Sequence, residues 1–374
     1  MCYSRSLVAA IIGDMEIPDR QEPLTISVIV PVRNGSLHLA QCLDALARSE
    51  HQNFEVIVVD DCSTDRTPEI AKLYAVLYLR TLRTMGAAGA RNLGSQHAHG
   101  DILAFIDSDV VVPPEVLGLL DEDFLRDPEV SAIFGSYDDK PAWPTFIAQY
   151  KNLVHHHVHQ ISSESPVTFW TGCGAIRKSV FDEIGGFDEA MYAMEDIALG
   201  LQLAQRGRRI FLDKRIQVKH LKRWTLRSML HADIFHRAVP WSQLILKTHQ
   251  LPRDLNLTYS SRVSSIAVGL LTMGCLILLL AFGGLLRIPL LPFFAATALL
   301  VILLLVLNWD TYKFFGEKRG WWFATRAVVF HWLYYLYSGA TFFLCAMAHF
   351  ARLLFVSPQK ASKPAPGSSF RKRE

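Results

Sequence analysis

The residues best equipped for chemistry are Asp107 and Asp109, which follow directly on the apolar run Ile102–Ile106. Two carboxylates two positions apart on extended backbone project to one face. Such a pair can hold one Mg²⁺ or Mn²⁺ together with phosphate oxygens, because Mg²⁺ takes few protein carboxylates and completes its shell with water and substrate phosphate. In a plain surface loop the same D-x-D would be solvated acid; its place behind a buried strand turns the reading toward metal. Asp60 and Asp61 close the preceding apolar run. A carboxylate there either accepts hydrogen bonds from a base N–H or ribose hydroxyls, or caps a turn, as Asp65 can. Glu195-Asp196 opens a helical stretch. An acid in that position complements the helix dipole, worth ~0.3–1 kcal/mol, or serves as a general base toward an acceptor hydroxyl, worth roughly 10²–10⁴-fold in rate. His220 ends the segment IQVKH and can offer a neutral imidazole to a metal, although a lone histidine is more often structural. The run His155-His156-His157 reads as a polar helix face rather than a metal cluster. Arg237, Pro240 and Trp241 stand near Lys222, Arg223 and Arg227, equally an interfacial belt or a clamp for diphosphate and acceptor.

Positioning these residues requires a parallel α/β fold. ISVIVPV at Ile26–Val32 and the run Phe54–Val59 are short, β-branched and nearly continuously apolar, the pattern of strands buried on both faces. Helical spacing follows each, over Leu37–Ala47 and Thr67–Tyr74, and again over Ala87–His97 before the strand Ile102–Ile106. The β-α-β-α order implies right-handed crossovers, and ligands in such sheets sit beyond the carboxyl ends of the strands, where both acidic clusters fall. Further on, Pro113-Pro114 starts a helix and Val130–Gly135 reads as a strand. The segment Phe169–Ile176 contains Thr171-Gly172-Cys173-Gly174, and Glu195–Arg206 is a helix stopped by Gly207. Arg208–Leu212 and Ile216–His220 read as two short strands.

The last third of the chain is of another kind. Ile266–Leu286 and Ile288–Leu307 contain no Asp, Glu, Lys or Arg, and each matches the ~20 residues a membrane-crossing helix needs. With only Arg287 between them they predict a tight hairpin. Ala327–Phe350 carries histidines and tyrosines, and either spans or lies at the interface. A net charge of +3 with scattered basic residues excludes a nucleic-acid stripe. Six cysteines without C-x-x-C spacing point to a reducing compartment. Leu7–Gly13 has no clear cleavage site after it, so the soluble part is expected in the cytoplasm. Lys313, Lys318, Arg319 and Arg326 between the second and third runs agree with the positive-inside bias, whereas three spans would put the basic tail outside.

Taken in order, ISVIVPVRNG, VIVVDDCSTDRT, GAAGARNLG, ILAFIDSDV, TGCGAIRKSVFDEIGGFDE and MEDIALGLQLAQRG resemble the GT-A-fold glycosyltransferases of family 2, of the membrane-anchored bacterial type, over Ile26–Trp241. The resemblance implies an inverting, metal-dependent transfer from a nucleotide-sugar, UDP-linked above all, with Mg²⁺ or Mn²⁺ stabilising the departing diphosphate. It implies that Pro31, Val32 and Arg33, with Asp60 or Asp61, line the nucleoside pocket, and that Arg91 reaches base or phosphates. Asp107 and Asp109 become the D-x-D motif, Asp109 the more direct ligand and His220 a third. Asp196 matches the catalytic base, with Glu195 beside it; Gly172, Cys173, Arg237 and Trp241 fall on the acceptor or diphosphate side. Processive members carry Q-x-x-R-W, whereas this chain reads His236-Arg237-Ala238-Val239-Pro240-Trp241. That departure, with few spans, favours single transfer to a lipid or lipid-linked acceptor over a processive polysaccharide synthase; a non-catalytic membrane scaffold is the other alternative. The expected organisation is an N-terminal extension at 1–24, a GT-A domain at 25–250, a transmembrane module of two to three helices at 263–352 and a disordered basic tail at 357–374. It is that of a multi-pass cell-membrane protein with a cytoplasmic catalytic domain, partnered by a nucleotide-sugar, an acceptor and the membrane but not by nucleic acid.

Overall fold

The computed structural model describes residues 23–248 and 258–355. The expected N-terminal extension, apart from its last two residues, and the basic tail lie outside the described residues. The α/β part begins β1 (Ile26–Val32), α1 (Leu39–Leu46), β2 (Phe54–Asp60), α2 (Thr67–Ala71), β3 (Leu77–Arg80), α3 (Gly86–Gln96), β4 (Ile102–Ile106) and β5 (Val110–Val111). It continues with α4 (Val116–Arg126), β6 (Val130–Tyr137), α5 (Phe146–Ile161), β7 (Cys173–Arg177), α6 (Lys178–Ile184), α7 (Glu195–Gln205) and β8 (Arg209–His220). The eight strands form one sheet ordered β3-β2-β1-β4-β7-β6-β8-β5. Strands β1 to β4 are mutually parallel, and β7 runs against both β4 and β6.

Alternation along the central strands divides two cores. Val28, Val30 and Val32 face Leu39, Leu43 and Leu46 of α1 together with Leu117, Leu120 and Phe124 of α4. Ile29, Ile57, Val59, Leu103 and Phe105 face Ala88 and Ala90 of α3 and Val180 and Phe181 of α6. With both faces covered, few positions in these strands favour a polar side chain, which is why they read as nearly continuous apolar runs; among the exceptions, Ser27 donates to Glu55 at 2.6 Å. Two features differ from expectation. Asp107-Ser108-Asp109 is a turn joining β4 to β5, closed by the Val110 N–H donating to the Asp107 carbonyl at 3.0 Å, and not extended strand. The two short strands expected at Arg208–Leu212 and Ile216–His220 are one, β8, whose pairing with β6 shifts register between Phe134 and Ser136. Gly135 sits at that irregularity, where a Cβ would lie 2.4 Å from the Ile216 carbonyl.

After β8 come α8 (Leu226–Asp233), a π-helical turn at Ile234–Ala238 and α9 (Val239–Thr248). Thr225 and Ser228 cap α8 reciprocally. The apolar helices are α10 (Tyr259–Phe282), α11 (Leu290–Leu307) and α13 (Trp321–Phe355), separated by α12 (Trp309–Arg319). All three are long and apolar enough to cross a membrane. The hairpin between α10 and α11 is looser than Arg287 alone implies, since residues 283–289 connect them. The unanticipated α12 rests on the α/β domain. Lys318 pairs with Asp139 at 2.6 Å, and Arg319 donates to Gln149 and to the Asp139 carbonyl at 2.6 and 2.7 Å. The first half of α13 joins the same core, with Ala327 and Phe330 beside Tyr150 and Leu153 of α5. His156 and His157 are therefore buried, His157 stacked on Phe314 of α12 at 4.5 Å. The expectation of a polar helix face fails because α5 lies between the sheet and α12 instead of facing solvent.

Candidate active site

The carboxyl ends of β1, β4, β6 and β8 and the start of α7 converge. At the centre Arg91 of α3, 3% exposed, donates to Asp107 at 2.8 Å and to Glu195 at 2.6 Å. A buried guanidinium with two carboxylates is charge-compensated and geometrically exacting. It ties the turn after β4 to the start of α7, although 104 residues separate Arg91 from Glu195. Arg91 is thus a bridge between the two acidic motifs. Burial pushes the Asp107 carboxyl above its ordinary value, against the pull of Arg91.

Asp109 stands on the other side of the turn, its Oδ2 3.4 Å from the Nε2 of His220 at the end of β8. Burial raises this carboxyl, but the hydrogen bond and charge of His220 outweigh it and hold Asp109 below the usual range. His220 lies face to face with Tyr137, ring centroids 4.3 Å apart and planes 6° apart. Among the described residues no three His, Cys, Asp or Glu side chains gather closely enough to hold a metal unaided. The chemistry of the donor set still fits a hard dication that takes few protein ligands and draws its remaining oxygens from a bound diphosphate. Asp109 and His220 would hold it, with Asp107 from the Arg91 side.

Asp196 is reached through Met194, a non-glycine residue at φ +66° that turns the chain into α7. Its Oδ1 accepts the Ile197 N–H at 2.8 Å, and its Oδ2 accepts from the Thr171 N–H and hydroxyl at 3.4 Å. Burial, then the charge of Glu195, raises the Asp196 carboxyl to about 6, with Arg91 opposing. A carboxylate poised there is matched to proton abstraction near neutrality.

Other expected residues have different surroundings. Asp60 is fully buried and accepts from the Ser63 N–H at 2.8 Å and the Tyr78 hydroxyl at 2.7 Å. Asp61 accepts from Thr81 and from the N–H groups of Met85 and Gly86 at the start of α3. Both shape the loops around the β2 end. Pro31 and Val32 close β1, with Val32 directed into the core and Arg33 exposed. Gly172 carries the Trp170 ring, which a Cβ would meet at 2.1 Å, whereas Cys173 is 1% exposed in the core. Cys173 therefore offers no side chain to a ligand, because it pairs in register with Ile106 inside the sheet. Arg237 lies in the π-helical turn and Trp241 in α9, both half-buried. Sequence reasoning passed over Thr171, His38 and Tyr137. His38, which feels the charges of Asp109 and His220, had no signal; Thr171 stood inside a singled-out glycine motif, and Tyr137 ends a recognisable strand.

Residues 27–185 match the profile of Glycosyl transferase family 2. An uncharacterized glycosyltransferase of Haemophilus influenzae is 29% identical over 192 residues, covering 48% of this chain and 62% of its own length. A pre-mycofactocin glycosyltransferase of Mycobacterium tuberculosis is 28% identical over 243 residues, covering 62% of this chain and 50% of its own. The chain thus spans between half and two thirds of the length of these relatives. The structure of the mannosyltransferase PcManGT from Pyrobaculum calidifontis, in complex with GDP-Man and Mn²⁺, superposes with a TM-score of 0.58 at 19% identity, over 90% of this chain and 92% of that one. At this identity the likeness is one of fold, and it agrees with the sheet and the strand-end site described above. Residues 27–185 thus match glycosyl transferase family 2, and they lie in a GT-A-like α/β domain that is followed by three long apolar helices.

Proposed function

We propose that the protein transfers a sugar from a nucleotide-sugar to a lipid or lipid-linked acceptor at a membrane surface, with inversion at the anomeric carbon and a divalent cation in the site. The observation that carries this reading is the Arg91 bridge, which fixes the Asp107-Asp109 turn and the Glu195-Asp196 helix start on one side of the sheet. Asp196 then takes the proton of the acceptor hydroxyl as that oxygen attacks. Asp109 and His220 hold Mg²⁺ or Mn²⁺, which when bound supplies a positive charge to the departing diphosphate. PcManGT was captured with GDP-Man and Mn²⁺, which supports a nucleotide-sugar and a dication here; UDP and GDP are the nucleotides to try first. A lipidic acceptor is supported by the way α8, α9 and α13 lie together beside the site, Tyr337 of α13 donating to Asp233 at 2.7 Å. We place the catalytic domain in the cytoplasm because Lys318, Arg319 and Arg326 lie on its side of the apolar helices.

The test is nucleotide release by the purified full chain in detergent with membrane lipid extract, screened over nucleotide-sugars with Mn²⁺ or Mg²⁺. Turnover of one donor that disappears in Asp109→Ala and Asp196→Ala supports the reading. Absence of both turnover and nucleotide binding in the parent protein rejects it.

A further inference from the structure

The π-helical turn after α8 leaves one backbone carbonyl without a helical donor. The Val239 N–H donates to the Ile234 carbonyl and so does not serve Phe235. The next donor in the π pattern would come from residue 240, which is Pro240 and has no N–H. The Phe235 carbonyl is taken instead by the Tyr192 hydroxyl at 2.8 Å. Tyr192 belongs to the strap 188–194 that leads into α7 and hence to Asp196. Successive residues of α3 hold the two ends of this strap. Asn92 accepts the Phe187 N–H and donates to the Phe187 carbonyl, both at 2.9 Å, and also donates to Glu189 at 3.0 Å. Arg91 holds Glu195 at the other end. Within the strap, Asp188 closes a turn by accepting from the Ala190 and Met191 N–H groups. From Tyr192 to Met194 the hydrogen bond to a neighbouring element, among the described residues, is that of the Tyr192 hydroxyl. Met194 stands at φ +66°, a conformation that a non-glycine residue keeps only where its surroundings impose it.

We infer that Tyr192 is a positioning residue for Asp196, its hydrogen bond to the Phe235 carbonyl fixing the entry into α7 against the membrane-side turn. This role rests on the transfer reaction proposed above, with Asp196 as the base. The connection is short. Tyr337 of α13 donates to Asp233 at 2.7 Å, the π-helical turn begins at the next residue, Phe235 receives Tyr192, and Asp196 lies just beyond Met194. The base is thereby held in register with the helices assigned above to the acceptor side, and not only with the Asp107 turn through Arg91. Tyr192 itself is 64% exposed and acts through the backbone of the strap. A base must stand within hydrogen-bond reach of the proton it takes, and a displacement of about 1 Å can cost roughly 10²-fold in rate. Loosening the strap therefore falls on kcat for transfer, while the donor and metal contacts on the Asp109 and His220 side are left as they are.

Two substitutions break the same bond from opposite ends. Tyr192→Phe removes the donor and, at an exposed ring, should lower the thermal midpoint little. Pro240→Ala supplies the missing N–H. Whether the turn stays π-helical or reverts to α, the Phe235 carbonyl then turns to a helical donor and away from Tyr192. Replacing a proline within a helical run favours the helix, so here the midpoint should hold or rise. In the full chain in detergent with membrane lipid extract, each variant should lower kcat for transfer by roughly three- to tenfold, with donor KM and the Mn²⁺ concentration for half-maximal turnover parent-like. The double variant should be no slower than the slower single one, because both remove one interaction. Hydrogen exchange over residues 192–197 should quicken in both. Parent-like kcat in either variant overturns the inference, even where exchange quickens. So do losses that multiply in the double variant, or that come with a raised donor KM or Mn²⁺ requirement. A parent chain that turns over no donor and binds neither UDP nor GDP with Mn²⁺ fails the underlying transfer reading instead, and so is told apart from a failure of Tyr192 alone.

Discussion

Replacing Glu195 with Gln should make the enzyme relatively more active in acid. The Asp196 carboxyl rises from 3.8 to about 6, first through burial and second through the charge of Glu195. That rise of about 2 units corresponds to roughly 3 kcal/mol of preference for the neutral acid. The amide introduced by Glu195→Gln still accepts from Arg91 but carries no charge, and Arg91 is left to act on Asp107 and Asp196. Burial, the larger cause, persists, so the part removed is about 0.5–1 unit. The base works as the carboxylate, so kcat/KM should climb with pH through about 6 in the parent and level off above it. In the variant the same limb should lie at about 5–5.5, so that activity at pH 5.5, relative to the plateau at pH 8, is about threefold greater. The assay is nucleotide release at subsaturating donor from pH 5 to 8, with a Mn²⁺ titration at each pH to keep the metal saturating. A limb that stays in place, or moves toward higher pH, refutes the argument that Glu195 holds the base in its poised state.

Three further outcomes follow from the same contacts. Asp196→Asn should abolish turnover yet raise stability by roughly 1–2 kcal/mol at pH 8 and not at pH 3.5, read from thermal midpoints. A folded-state pKa above the unfolded value means the native state holds the proton more tightly, so stability declines as pH rises from 3.8 through about 6. Lys151→Met should destabilise the chain by roughly 3 kcal/mol or more, because it leaves buried Asp233 unpaired, while Tyr337→Phe should cost roughly 1–2 kcal/mol; denaturant unfolding in detergent measures both. Asp61→Asn forfeits an acceptor for the Met85 or Gly86 N–H at the start of α3 and should lower the thermal midpoint. A raised donor KM without that loss of stability would return Asp61 to the nucleoside pocket.

What was legible in the sequence follows the range over which each interaction acts. The strands β1, β2 and β4 announce themselves because burial on both faces leaves few polar residues along their length, Ser27 in β1 and Glu55 and Asp60 in β2. The same rule misses β3, whose Leu77–Arg80 is an edge strand with no fully buried residue, and α12, whose charges in WDTYKFFGEKR look like a loop between apolar runs until Lys318 and Arg319 find Asp139 and Gln149. The extended D-x-D was the wrong local geometry at the right place, since the turn that closes on Asp107 leaves no mark in residue type. Arg91 shows the deeper limit. Its sequence neighbours GAAGARNLG advertise a helix near the site, but its function there is set by Asp107 and by Glu195, one 16 and the other 104 residues away.

Tyr137 was within reach of the reasoning and was missed for a physical reason. The expectation that ligands gather at the carboxyl ends of strands was applied to acids, where chemistry is conspicuous, and the strand Val130–Gly135 was ended two residues early, at a glycine. The structure carries β6 on through Gly135, because Ile216 of the neighbouring strand presses where a side chain would stand and the register slips to admit it. That slip lets Ser136 and Tyr137 pair again with Gln217 and Val218, and it brings the Tyr137 ring onto His220. A glycine that sequence reasoning takes for the end of a strand is here what allows the strand to deliver a phenol to the His220 side of the site.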